Sequence, residues 1–174
     1  MLPLRQPDSR SCGAASLVMA RRLAHERYAG LVTDQPTFAH EVTTLHRRVT
    51  SLADTAGGWQ APWPRVIGTP PWAVARELRL VTGVRYGIRP VRLGGTWSGL
   101  RDATEQHPVA VFVGDWFLPR HVVLVTGVEG ARARTYEPAV GLELDVERER
   151  WEDGPLNLAG WDRAWLVVAP QLSR

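Results

Sequence analysis

The sequence contains no lysine and a single cysteine among its 174 residues. One cysteine excludes an internal disulfide and a cysteine-cluster metal site, which suits a reducing compartment or a chain that needs no covalent staples. The 21 basic residues are all arginine, so the sequence pI of about 9.7 comes with a net charge of only +3. The pairs Arg21-Arg22 and Arg47-Arg48 read as solvated helix faces, and the segment after Gly130 is net acidic. No nucleic-acid partner is therefore expected. No apolar run approaches the length of a membrane span, so no membrane partner is expected either. Met1 to Leu4 is too short for the apolar region of a signal peptide. A cytoplasmic location is the expectation, with signal-less export left open.

What is present is an ordinary globular composition, 44% apolar and 22% charged, of a length that suits one domain over residues 1–174. Cys12 stands in the run Gln6-Pro7-Asp8-Ser9-Arg10-Ser11-Cys12-Gly13-Ala14-Ala15. Behind it Ala15, Val18, Met19 and Leu23 recur with helical spacing, which predicts a helix from about Ser11 to Tyr28 with Cys12 in its first turn. Unpaired N–H groups at a helix start favour negative charge, so a thiol there is easier to ionise, and the thiolate is the reactive form. Taken alone, a lone cysteine is equally a small buried hydrophobe.

Ala29-Gly30-Leu31 is expected to break this helix and Asp34 to cap a second. Phe38, Val42, Leu45, Val49 and Leu52 carry its apolar stripe to about Asp54, before Gly57-Gly58. Trp59 to Pro71 is too rich in proline for a regular element and reads as a loop packed down by its aromatics. Thr69-Pro70-Pro71 signals a helix start, with Val74, Leu78 and Val81 on one face and Gly83 past the end. A short strand over Val84, Tyr86 and Ile88 follows, then Gly94-Gly95 and a small helix capped by Thr96 and carrying Trp97, Leu100 and Ala103. After His107-Pro108 the pattern turns to strands: Val109–Val113, His121–Val128, Ala131–Tyr136, the alternation Leu142, Leu144 and Val146, and Ala164–Val168. Helices first and antiparallel strands afterwards make an α+β fold.

A cysteine nucleophile needs a base, and the base needs a group to hold its tautomer. Among five histidines, His25 is too far along the first helix to reach Cys12. His40 and His46 lie six apart, off the spacing that places two metal ligands on one helix face. His107 lies in a turn. His121 opens a buried strand directly after a loop, where a side chain faces a cleft and is still held rigidly. If Glu129-Gly130-Ala131 is a three-residue loop, position 137 lies opposite 123, and Glu137 shares a face with His121 one diagonal step away. With a two-residue turn at Glu129-Gly130 it would point the other way. Pairing His121 with Glu137 thus demands an odd loop or a bulge, and Asp115 and Glu143 stand as the alternative acids.

Gln6, Asp8 and Cys12-Gly13-Ala14-Ala15 at a helix start, with His121-Val-Val-Leu-Val-Thr-Gly-Val128 and Tyr136-Glu137-Pro138-Ala139-Val-Gly141, resemble the peptidase C39-like group of papain-like cysteine peptidases. The resemblance runs from about Leu4 to Pro170 and follows the papain-like order of Cys, His and acid. It implies a papain-like fold, with the helical half packed on a C-terminal antiparallel sheet. It further implies Cys12 as nucleophile, His121 as base and Gln6 as oxyanion donor beside the Cys12 N–H. The family usually has Asp where this chain has Glu137, one carbon longer. A peptide or protein substrate is the implied partner, with room for a restraining inhibitor or immunity protein, and no cofactor is implied. Members fused to transporters remove leader peptides after a double glycine, a role that does not carry over to a chain without a transporter segment. Gly57-Gly58 and Gly94-Gly95 read as turn glycines rather than self-cleavage sites. The same thioester chemistry would serve an acyltransferase, transglutaminase or glutamine deamidase, and a chain that lost the chemistry would remain a peptide-binding module. Trp59, Trp63, Trp97 and Trp116 are candidate groove walls.

Overall fold

The computed structural model describes residues 3–91 and 96–171. Its centre is a six-stranded antiparallel sheet of order β1-β6-β2-β3-β4-β5. The strands are β1 (Tyr86–Pro90), β2 (Val109–Gly114), β3 (Pro119–Glu129), β4 (Arg132–Glu137), β5 (Leu142–Glu147) and β6 (Arg163–Pro170). The helices are α1 (Cys12–Ala24), α2 (Glu26–Leu31), α3 (Gln35–Val49), α4 (Pro71–Thr82), α5 (Thr96–Thr104) and α6 (Arg148–Glu152), with a 3-10 turn at Arg65–Ile67. The fold is α+β, as the sequence pattern predicts. Among the described residues no helix is long and apolar enough to cross a membrane.

The continuous apolar runs of β2 and β3 follow from burial on both faces of the sheet. Ala110, Phe112, Val122 and Leu124 join the core built by α1, α3 and α4. Their neighbours Val109, Val111, Val113, Val123 and Val125 join a second core with Trp97, Leu100, Trp151 and Leu156. Helices α5 and α6 form this second layer on the opposite face of the sheet.

Helix α1 runs through the middle of the first core, and every residue from Cys12 to Ala20 is buried. Small residues at Gly13, Ala14, Ala15 and Ser16 allow this close approach. At Gly13 a Cβ would lie 2.6 Å from that of Thr69, so the helix start and the 59–71 loop fit only with glycine there. The Ser16 hydroxyl donates to the Val122 carbonyl at 3.3 Å, tying α1 to β3 one turn beyond Cys12.

Several boundaries differ from expectation. The first helix ends at Ala24, and His25 turns to extended backbone before α2 carries on through Ala29-Gly30-Leu31. Leu23 is 54% exposed despite fitting the stripe. Asp34 caps α3 as predicted, its carboxylate accepting from the Thr37 N–H at 2.8 Å. The helix stops at Val49, and Leu52 is exposed. There the Asp54 carboxylate gathers the N–H groups of Ala56 and Gly58 into a turn. Pro71 opens α4 and left-handed Gly83 closes it. Helix α5 includes Thr96 itself rather than being capped by it, and Gly94-Gly95 lies outside the described residues.

Candidate active site

The N-terminal segment is laid along the turn that follows β4. Leu4 N–H donates to Gly141 O at 3.0 Å, Gln6 N–H to Pro138 O at 2.9 Å, and the buried Tyr136 hydroxyl to Leu4 O at 2.6 Å. Gly141 has φ +73° and would clash with Leu4 and Arg5 if it carried a Cβ. The Glu137–Gly141 turn therefore fixes the path of the chain into Cys12.

On β3 and β4 the pairing is Glu129 with Arg132, a two-residue turn at Gly130-Ala131. Left uncorrected, this register would place Glu137 opposite Leu124. The register shifts between Val125 and Gly127, leaving Thr126 as an extra residue, and Leu124 then pairs with Tyr136. Continued by one residue, this sets Glu137 opposite Val123 and on the face of His121.

The structure joins His121 to Glu137 and puts Cys12 and His121 in the lining of one cavity. His121 Nε2–H donates to Glu137 Oε1 at 2.6 Å, with the two side chains 6% and 1% exposed. Glu137 Oε1 also accepts the Ala139 N–H at 2.9 Å. Its Oε2 is buried with no hydrogen-bond partner among the described residues. Cys12 shares the cavity wall with this imidazole, and with Nε2 committed to Glu137, Nδ1 is the ring nitrogen left to serve it. Burial pulls the His121 pKa down, yet the nearby Cys12 sulfur and the hydrogen-bonded Glu137 carboxylate outweigh it and push the value up to about 9. The surroundings of the ring therefore favour its charged form.

Cys12, 4% exposed, lies with His121 in the wall of an open cavity of about 610 Å³. Trp63, Ile67 and Trp72 contribute one side, Leu118 and Arg120 the other, and Phe112 and Leu166 belong to the lining as well. Trp63 meets Trp72 edge to face, with centroids 5.1 Å apart. Gln6 is not among the residues that line the cavity. Its Nε2 donates to Asp8 O at 2.6 Å, and its Oε1 is buried and unpartnered among the described residues.

The alternative acids do not meet His121. The Asp115 carboxylate holds the N–H groups of Phe117 and Leu118 and pairs with Arg120, whereas Glu143 accepts from the Thr126 hydroxyl. Of the four tryptophans proposed as walls, Trp63 lines the cavity. Trp59 is exposed, Trp97 is buried in the second core, and Trp116 is exposed beneath the Arg163 guanidinium. Trp72 was not singled out by the sequence, because its place after two prolines reads as a helix-start position. Among the described residues no group of three or more His, Cys, Asp and Glu could hold a metal ion.

No protein-family model matches the sequence, and no curated protein does. Similar folds occur among solved structures. A C39-like peptidase from Bacillus anthracis aligns with a TM-score of 0.54 at 13% identity, covering 99% of this chain and 96% of that one. A double-glycine-motif protease from an AMS/PCAT transporter, solved in complex with a leader peptide, aligns with a TM-score of 0.50 at 16% identity, covering 97% and 91%. The chain has the fold of these C39 peptidase domains.

Proposed function

We propose that the protein is a papain-like cysteine peptidase that hydrolyses peptide bonds through a thioester on Cys12. The observation that carries this reading is the buried hydrogen bond from His121 Nε2 to Glu137 Oε1, on a ring whose other nitrogen faces Cys12. Glu137 holds the imidazole in one orientation and favours its charged form. The sulfur, facing a protonated ring, attacks the carbonyl carbon of a peptide bond lying in the cavity. His121 passes its Nδ1 proton to the departing amine, whose C–N bond breaks as the thioester remains. A water molecule then enters, gives a proton to Nδ1, and its oxygen attacks the thioester carbonyl, releasing the acid and restoring the sulfur. The Cys12 N–H at the start of α1 and the Gln6 amide are the oxyanion donors in this scheme. The fold shared with C39 peptidase domains supports the same reaction class.

The experiment is incubation with a proteome-derived peptide library, with new termini read by mass spectrometry. Cleavage that disappears in Cys12→Ala and His121→Ala supports the reading. Cleavage that survives Cys12→Ala, or none at all from a protein whose Cys12 is readily alkylated, would sink it.

A further inference from the structure

Beside the Cys12 cavity lies a second, of about 390 Å³, which shares Ser9, Arg10 and Val66 with it. Three pieces of chain converge there. Helix α3 contributes Thr43, His46 and Arg47, whose i, i+3, i+4 spacing puts them on one face. The 3-10 turn contributes Arg65, and the segment before Cys12 contributes Asp8 and Arg10. The hydrolytic chemistry above uses none of the α3 residues.

The charge balance of this pocket is positive: Arg10, Arg47 and Arg65 against Asp8 alone. Among the described residues none of the three guanidinium groups has an ion-pair partner. The Asp8 carboxylate is engaged by the Arg10 N–H at 2.8 Å. At the pocket wall His46 is 7% exposed, and its Nε2 is buried without a hydrogen-bond partner. A basic pocket whose three guanidinium groups lack an ion-pair partner among the described residues is matched to an anion that would supply one.

We propose that this pocket is a substrate subsite for an acidic side chain, an Asp or Glu carried a few residues from the bond that Cys12 attacks. The inference rests on the peptidase reading. A carboxylate fits the planar fork of arginine better than other side chains do. We place it on the same peptide because the two cavities are neighbours that share Ser9, Arg10 and Val66, within reach of one extended chain. Burial holds the His46 pKa below its ordinary value, with Asp8 acting against that shift and Arg65 with it, so the arginines and not His46 carry the positive charge of the subsite.

The test starts from a peptide that the wild-type protein cleaves in the library, compared with its twin carrying Gln in place of Glu at the enriched position. We expect kcat/KM to favour the Glu peptide by about tenfold or more. Arg47→Glu and Arg65→Glu, both at exposed positions, should each bring that ratio to one or below, with thermal unfolding measured to show that the variants fold. Cleavage with no acidic enrichment, or a ratio that both variants leave unchanged, overturns the subsite while the peptidase stands. No cleavage of any library member overturns the peptidase reading and the subsite with it.

Discussion

His121 and Glu137 meet inside the protein at 2.6 Å, with no water-exposed carboxylate or imidazole face to dilute the interaction. The folded imidazole, at about 9, holds its proton more tightly than the ordinary 6.5. Below pH 6.5 folded and unfolded rings are both charged and the stabilisation is complete. Between 6.5 and about 9 the unfolded ring releases a proton that the folded ring keeps, so stability falls as pH rises and the contribution is lost above that window. Thermal unfolding followed from pH 6 to 10 should show this decline, and His121→Gln should flatten it. An NMR titration placing the ring at or below 6.5 would contradict the assignment.

The length of Glu137 matters because one oxygen serves two donors, the His121 ring and the Ala139 N–H. Asp would withdraw the carboxylate by one methylene while the backbone is held by the Gly141 to Leu4 pairing. Glu137→Asp should therefore lower kcat/KM by about tenfold, and Glu137→Gln by on the order of a hundredfold or more, because it keeps the shape but loses the charge. Peptide hydrolysis measures both. An Asp variant faster than wild type would show that Glu137 is poorly placed for the ring.

Gly141 supports the site from outside it. A methyl there meets the Leu4 backbone at 2.6 Å at a backbone angle that side chains avoid. Gly141→Ala should cost about 1–3 kcal/mol of stability and loosen the N-terminal segment that leads to Gln6. Chemical denaturation would show the loss, and unchanged stability would mean that the segment shifts freely.

Much of this arrangement was legible in the residues. Cys12 announced itself by standing alone at a helix start, and the buried strand after a loop singled out His121. Side-chain alternation reduced the pairing with Glu137 to a choice between an odd loop and a bulge. The chain chose the bulge, at Thr126, with a two-residue turn at Gly130-Ala131, and no local residue preference distinguishes these solutions. The break at His25 was invisible because its neighbours are ordinary helix formers, and only packing decides that α1 stops there. Trp97 looked like a recognition residue but fills the second core, a layer that periodicity cannot assign to one face of a sheet or the other. Helix α6, five residues long, is too short to carry a period.

Gln6 separates binding of the oxyanion from activation of the sulfur. One N–H of its amide is spent on Asp8 O at 2.6 Å, which fixes the side chain and leaves the second N–H for a substrate oxygen. Alkylation of Cys12 by iodoacetamide forms no oxyanion, whereas peptide hydrolysis passes through one. Gln6→Ala should therefore reduce kcat by about a hundredfold while alkylation at pH 7 stays within about twofold of wild type. His121→Ala should depress both, because the ring serves the sulfur in either reaction. If Gln6→Ala slowed alkylation as much as hydrolysis, its role would be to hold the Asp8 to Cys12 segment in place, and the Cys12 N–H would be left as the principal oxyanion donor.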